Sequence, residues 1–338
     1  MDIYKNFIIE LENNIKNVCT EFFNDSDDEL QTMFNYAINS GRRYRPSLVL
    51  TGKLIGDDSF DELTLIHAIT VELIHKYSLI LDDSVDNDPL RRGKETYYKR
   101  YGRDNAQAMS AYIMNLIFKE NNKITSLYHN DPRQKTIISL YEEILSDMSV
   151  GFISDLNKKS RDVRGIRKIS DMQTTTLLRN SMLIGFISSE FYMSNECAYL
   201  YKTLCELGNH MGTIFQAYND LEIFCGKKFQ KANKGHLFPD FVDNRKNIVL
   251  SKVPLKILEK RDTNELVKYL NKECLFEEVF NEIFDVIREI KFLLNELPKK
   301  SRGTEFLLKI LNEKEKVIIS LSKTDIINCN NTDKISAM

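Results

Sequence analysis

One stretch limits what this chain can become more than any other. It runs Glu72-Leu-Ile-His75-Lys-Tyr77-Ser-Leu-Ile-Leu-Asp82-Asp83-Ser-Val-Asp86, and Arg91-Arg92-Gly93 follow shortly after. The apolar residues recur with helical period from about Leu63 to Asp86, so a buried helix is predicted that ends in a carboxylate cluster. At 3.6 residues per turn His75, Asp82 and Asp86 share one helix face, with Asp83 beside them. Aspartates one turn apart repel each other, which costs free energy unless a cation compensates. Oxygen ligands on one face suit a hard cation such as Mg²⁺, which takes few carboxylates and completes its shell with substrate phosphates. Arg91 and Arg92 fit the same picture, because a guanidinium presents a planar fork to phosphate oxygens. Taken alone, the D-D-x-x-D spacing suits a solvated acidic helix end equally well. His75 upstream and the arginine pair downstream favour the site.

Composition sets the wider bounds. The 338 residues are 42% hydrophobic and 28% charged with a net charge of −2, a balance without the basic excess of a nucleic-acid binder. No segment approaches the roughly 18 uninterrupted apolar residues of a transmembrane helix, and the N-terminus lacks a signal-peptide layout. Cys19, Cys197, Cys205, Cys225, Cys274 and Cys329 form no C-x-x-C pair, which predicts free thiols in a reducing cytoplasm. Alternating strand-like runs are scarce among long 3.6-period segments, so an all-α chain is expected. Helices are predicted on either side of a polar break at Asn24–Asp28, on either side of 128–132, over 170–194, and three or so over 255–322. Residues 158–169 read as a basic, solvated connection, and the polar tail 323–338 as disordered.

The central stretch resembles the first aspartate-rich motif of the trans-isoprenyl diphosphate synthases, the farnesyl and geranylgeranyl diphosphate synthase family, whose pattern is E-x-x-H-x-x-S-L-x-x-D-D-x-x-D followed by R-R-G. The likeness runs from about residue 35 to 255. Gly41-Arg42-Arg43-Tyr44-Arg45-Pro46 resembles the G-G-K-R-x-R-P loop that binds the isopentenyl diphosphate headgroup, with Arg42 in place of the lysine. The resemblance implies an all-α, isoprenoid-synthase-type bundle of ten or more helices around a central cavity, working as a homodimer. It implies that Arg42, Arg45, His75 and Arg92 hold isopentenyl diphosphate, and that Arg91 holds the allylic diphosphate. Asp82, Asp83 and Asp86 would bind Mg²⁺ that assists ionisation of the allylic substrate. Tyr77, five residues before Asp82, would floor the tunnel for the growing chain and limit it to C15–C20; core packing explains a tyrosine there equally well.

The opposite wall departs from the family. Phe215-Gln216-Ala-Tyr-Asn219-Asp220-Leu-Glu222-Ile223 resembles F-Q-x-x-D-D-x-x-D with only the middle aspartate kept, leaving Gln216 for substrate and Asn219 and Asp220 as metal ligands. Gln173 stands where K-T-x-x-L-L supplies a lysine, and Phe152 where G-Q-x-x-D-L supplies a glutamine. Lys227, in a basic stretch beyond Ile223, is a candidate stand-in for a lost metal. Three readings follow: a short-chain prenyl diphosphate synthase, a terpene cyclase or other prenyltransferase with a different acceptor, and a non-catalytic subunit of a heteromeric synthase. One domain, 1–322, is expected to carry any of them.

Overall fold

Helices form where the apolar residues recur every 3.6 positions. The computed structural model describes residues 3–20, 28–39, 41–157, 163–224, 238–242 and 247–322. In chain order α1 is Ile3–Thr20, α2 Asp28–Ile38, α3 Tyr44–Gly56, α4 Glu62–Asp86, α5 Tyr97–Tyr101, α6 Arg103–Leu127 and α7 Arg133–Leu156. Then come α8 (Val163–Ser170), α9 (Thr176–Ile187) and α10 (Cys197–Glu222). Further on, Thr263–Lys272, Leu275–Asn295 and Arg302–Ser322 are the main helices, preceded by the short turn of helix Leu255–Glu259. The basic connection expected over 158–169 is therefore partly helical: α8 forms, and its Arg167 pairs with Glu282 at 2.9 Å. The Asn24 break to residue 27, Lys227 with its basic stretch, and the tail 323–338 lie outside the described residues.

The long helix α4 organises the bundle. Asp61 caps it reciprocally with Thr64, which satisfies donors at its start. Asn87, left-handed at φ 57°, ends it. From Thr64 to Ile74 every side chain is buried, so α4 is packed all round rather than along one stripe. By length and composition it would also cross a membrane, but its apolar surface is spent on neighbouring helices.

Two glycine contacts bring walls together. A Cβ on Gly52 would sit 1.9 Å from the Met182 carbonyl oxygen, and one on Gly185 would sit 1.9 Å from that of Val49. Thus α3 and α9 cross backbone to backbone. Gly185→Ala is expected to cost about 2–3 kcal/mol, because the obstructing atoms are main chain and the helices must part; an unchanged denaturant midpoint would contradict this contact. Gly208 and Gly212, four residues apart on α10, do the same against Arg179 and Thr175.

Two local irregularities shape the site. Leu90–Arg91 and Lys94–Glu95 form a two-stranded antiparallel hairpin, the only strands among the described residues. Arg92 (φ 53°) and Gly93 (φ 77°) supply the two positive φ angles of its tight turn. Just before α9, Asp171–Thr175 is a single π-helical turn, a form that recurs at functional sites.

Candidate active site

The C-terminal end of α4 and the hairpin make one wall. Arg91 donates from Nε to Asp83 Oδ1 at 2.6 Å and from Nη2 to Asp82 Oδ2 at 2.7 Å, so one guanidinium spans both carboxylates. Burial works against the Arg91 charge, yet Asp83 and Asp82 outweigh it and hold its pKa above the ordinary value. Burial also pushes the Asp83 carboxyl up to about 6, against the pull of Arg91. The two aspartates differ in access: the side chain of Asp82 is 39% exposed and that of Asp83 only 7%. Asp86, one turn on, is half-buried.

Below this wall the α3 entrance supplies cations. Arg45 donates from Nη1 to His75 Nε2 at 2.9 Å. Arginine can only donate, so that nitrogen accepts and the ring proton sits on Nδ1. Burial, followed by Arg45 and Lys76, holds His75 well below its usual pKa, so the ring is neutral. Its Nδ1 and the Nε of Arg45 are buried without a partner, two donors left for something else. Burial brings Arg45 down to about 10, with Arg92 and Arg91 adding to the effect against Glu72. Arg43, by contrast, is consumed structurally: it holds Glu72 at 2.6 Å and Glu12 at 2.7 Å. Lys76, which the sequence reading passed over, shares Glu72 at 3.5 Å and is brought down to about 8 by burial.

These groups line a cleft of about 380 Å³ that includes Arg42, Arg45, His75, Lys76, Arg91 and Arg92. Seven arginines and lysines face three carboxylates there, an excess that favours a polyanionic ligand. A hollow of similar size between α10 and the last two helices is mainly aliphatic and has no such excess.

The opposite wall, on α10, does not assemble as a mirror of the first. Gln216 donates to Asp220 Oδ1 at 2.8 Å and accepts from Thr174 at 3.2 Å. The other oxygen of Asp220 accepts from the Ile248 backbone N–H at 2.8 Å, and burial pushes this carboxyl up to about 8. Asn247 ties the same corner by donating to the Asp220 carbonyl and to Asp240, both at 2.9 Å. Asp220, expected as a metal ligand, is instead buried inside a hydrogen-bonded lock; Gln216, expected on substrate, is a second member of it. Asn219 is exposed and Ile223 is core. Glu222 does face the cleft side, accepting from Tyr218 at 3.0 Å, and its charge reaches Arg42 and Arg92. Gln173 lies in the π turn, pressed onto Gly151 of α7. Tyr77 is half-buried against the apolar core.

Among the described residues no three His, Cys, Asp or Glu side chains come together as a metal-holding group. The first wall nevertheless suits Mg²⁺ in its donor chemistry: carboxylate oxygens only, with a guanidinium already standing in as their counter-cation. The second wall does not suit it, since its one remaining aspartate is enclosed.

Comparison with known proteins shows the family and the fold. The family described as polyprenyl synthetase matches residues 27–286. A hexaprenyl pyrophosphate synthase of Saccharolobus solfataricus is 26% identical over 263 residues, covering 76% of this chain and 85% of its own length. A short chain isoprenyl diphosphate synthase of Methanocaldococcus jannaschii is 24% identical over 288 residues, covering 84% and 82%. In fold, the heptaprenyl diphosphate synthase of Staphylococcus aureus superposes with a TM-score of 0.77 at 18% identity, covering 94% of this chain and 98% of that one. The protein is a prenyltransferase. It belongs to the polyprenyl synthetase family.

Proposed function

We propose that the protein is a short-chain prenyl diphosphate synthase, condensing isopentenyl diphosphate with an allylic diphosphate to a C15–C20 product. The observation that carries this reading is the cleft itself. Arg45 and His75 each keep a buried, unpartnered donor within a lining where cations outnumber carboxylates. A protein that took no second diphosphate would gain nothing from leaving such donors unmet.

In this reading Arg42, Arg45, His75 and Arg92 hold isopentenyl diphosphate, with Arg45 keeping the neutral His75 in its donor tautomer. Asp82, Asp83 and Asp86 would hold Mg²⁺, which when bound supplies charge for the departing pyrophosphate. Arg91 bridges two of those carboxylates and adds a fixed cation on the allylic side. The C1–O bond of the allylic substrate breaks, the double bond of isopentenyl diphosphate attacks the resulting cation, and a proton is lost from the adduct. Asn219 and Asp220 belong to this reading as supports of the α10 wall rather than as ligands, because Asp220 is enclosed. The same reading takes residues 1–322 as one unit and the protein as a cytoplasmic homodimer. Cys197, Cys205 and Cys274 are free thiols, in keeping with a reducing compartment.

Incubation with Mg²⁺ and geranyl or farnesyl diphosphate, with and without isopentenyl diphosphate, tests the proposal. A longer diphosphate formed only in the complete mixture is the expected product. A hydrocarbon or alcohol formed without isopentenyl diphosphate would establish a cyclase instead. Tyr77→Ala is expected to add at least one five-carbon unit to the main product; an unchanged product by mass spectrometry would leave Tyr77 as packing alone.

A further inference from the structure

Lys314 lies in the helix Arg302–Ser322, beyond the stretch that the family pattern matches. Its ammonium sits over three ring faces: Phe215 at 4.2 Å, Tyr218 at 4.8 Å and Tyr44 at 5.1 Å from Nζ to centroid. Those rings come from two elements, Tyr44 from α3 and both Phe215 and Tyr218 from α10. Tyr44 is the first residue of α3, between Arg42 and Arg45 in sequence, and lines the cleft. Phe215 precedes Gln216, and Tyr218 donates to Glu222. The residue is 9% exposed.

Ring faces offset only part of the hydration an ammonium loses. Burial and then Arg42 bring Lys314 down to about 8, with Arg92 and Arg45 adding to the effect and only Glu222 opposing it. A cation that feels the repulsion of these arginines is relieved when a multiply charged anion binds among them.

We propose that Lys314 is a further diphosphate-binding residue of the cleft, with Tyr44, Phe215 and Tyr218 as the cage that aims its ammonium at the headgroup shared with Arg42, Arg45 and Arg92. This rests on the diphosphate reading above. Because the cage joins α3, α10 and the last helix, it also couples that headgroup to all three elements.

The test is calorimetric titration of the full chain with inorganic pyrophosphate in magnesium-free buffer, beside thermal unfolding of the same variants. Lys314→Met keeps a soft apolar side chain against the rings and removes the charge. It is expected to weaken pyrophosphate about ten- to a hundredfold and to leave the unfolding midpoint nearly unchanged. Lys314→Arg is expected to stay within about threefold of the parent, since the charge is kept. Equal affinity for the parent chain and Lys314→Met would reduce Lys314 to a bolt between helices and overturn the proposal. Equal loss in the methionine and arginine variants would also overturn it, because charge would not be the cause. If the parent chain itself fails to bind pyrophosphate, the diphosphate reading of the cleft falls, and this proposal with it.

Discussion

Asp82→Ala is expected to slow turnover of the allylic substrate about a thousandfold or more, equivalent to about 4 kcal/mol of barrier, while the fold survives. The asymmetry of the two adjacent aspartates is the reason. Asp83 is nearly enclosed and is held by Arg91 from the inside; Asp82 projects its carboxylate outward, where a hard cation and a pyrophosphate oxygen can meet it. Removing Asp82 leaves the Arg91–Asp83 pair in place, so unfolding should change little. A single-turnover rate within tenfold of the parent would show that the outward aspartate is not part of the reacting site.

The second large effect concerns stability. Glu72→Ala removes a carboxylate shared by two cations, the Arg43 guanidinium at 2.6 Å and the Lys76 ammonium at 3.5 Å, with all three side chains almost entirely buried. Breaking a buried pair by removing one partner costs about 3–5 kcal/mol, since the remaining charge keeps its desolvation cost without its attraction. Here Glu12 still compensates Arg43 in part, while Lys76 can shed its proton, so the lower half of that range is expected. Glu72→Ala should therefore unfold at clearly lower denaturant, and adding Lys76→Met should recover part of the loss. No recovery in the double variant would show that Lys76 contributes nothing to the cost.

Much of the architecture was readable before any coordinates. The apolar period from Leu63 to Asp86 gave α4 to within one residue at its start, because a helix buried on all sides carries a long, unbroken signal. The Gly208 and Gly212 spacing likewise announced a close helix contact. The crossing at Gly52 and Gly185 was not announced in this way: Gly185 stands alone in α9, and the partner that Gly52 meets lies over a hundred residues away in the chain. The hairpin went unnoticed because four paired residues are too few to establish a period, although Arg92-Gly93 was its turn. At the site, the pattern of residue types located the cleft but not the division of labour within it. Glu72, Lys76 and Lys314 act through partners brought together by folding, and a motif cannot reveal which arginine, Arg43 or Arg45, is taken up by the scaffold. The enclosure of Asp220 is of the same kind: its donors at Gln216 and Ile248 come from one turn and from a distant segment.

The hairpin's brevity has a consequence for how the two arginines are told apart. Arg91 is paired in the strand and answers to Asp82 and Asp83; Arg92 occupies the bend, and the charges that reach it are Arg91, Arg42, Glu222 and Glu72. Because Arg91 ends the strand and Arg92 opens the bend, a shift of one position would put Arg91 in the bend and Arg92 in the place of Gly93. Two chemically identical residues are thus addressed to two different sets of partners by their places in the hairpin. Insertion of a single residue between Pro89 and Leu90 would leave every charge present and misdeliver both.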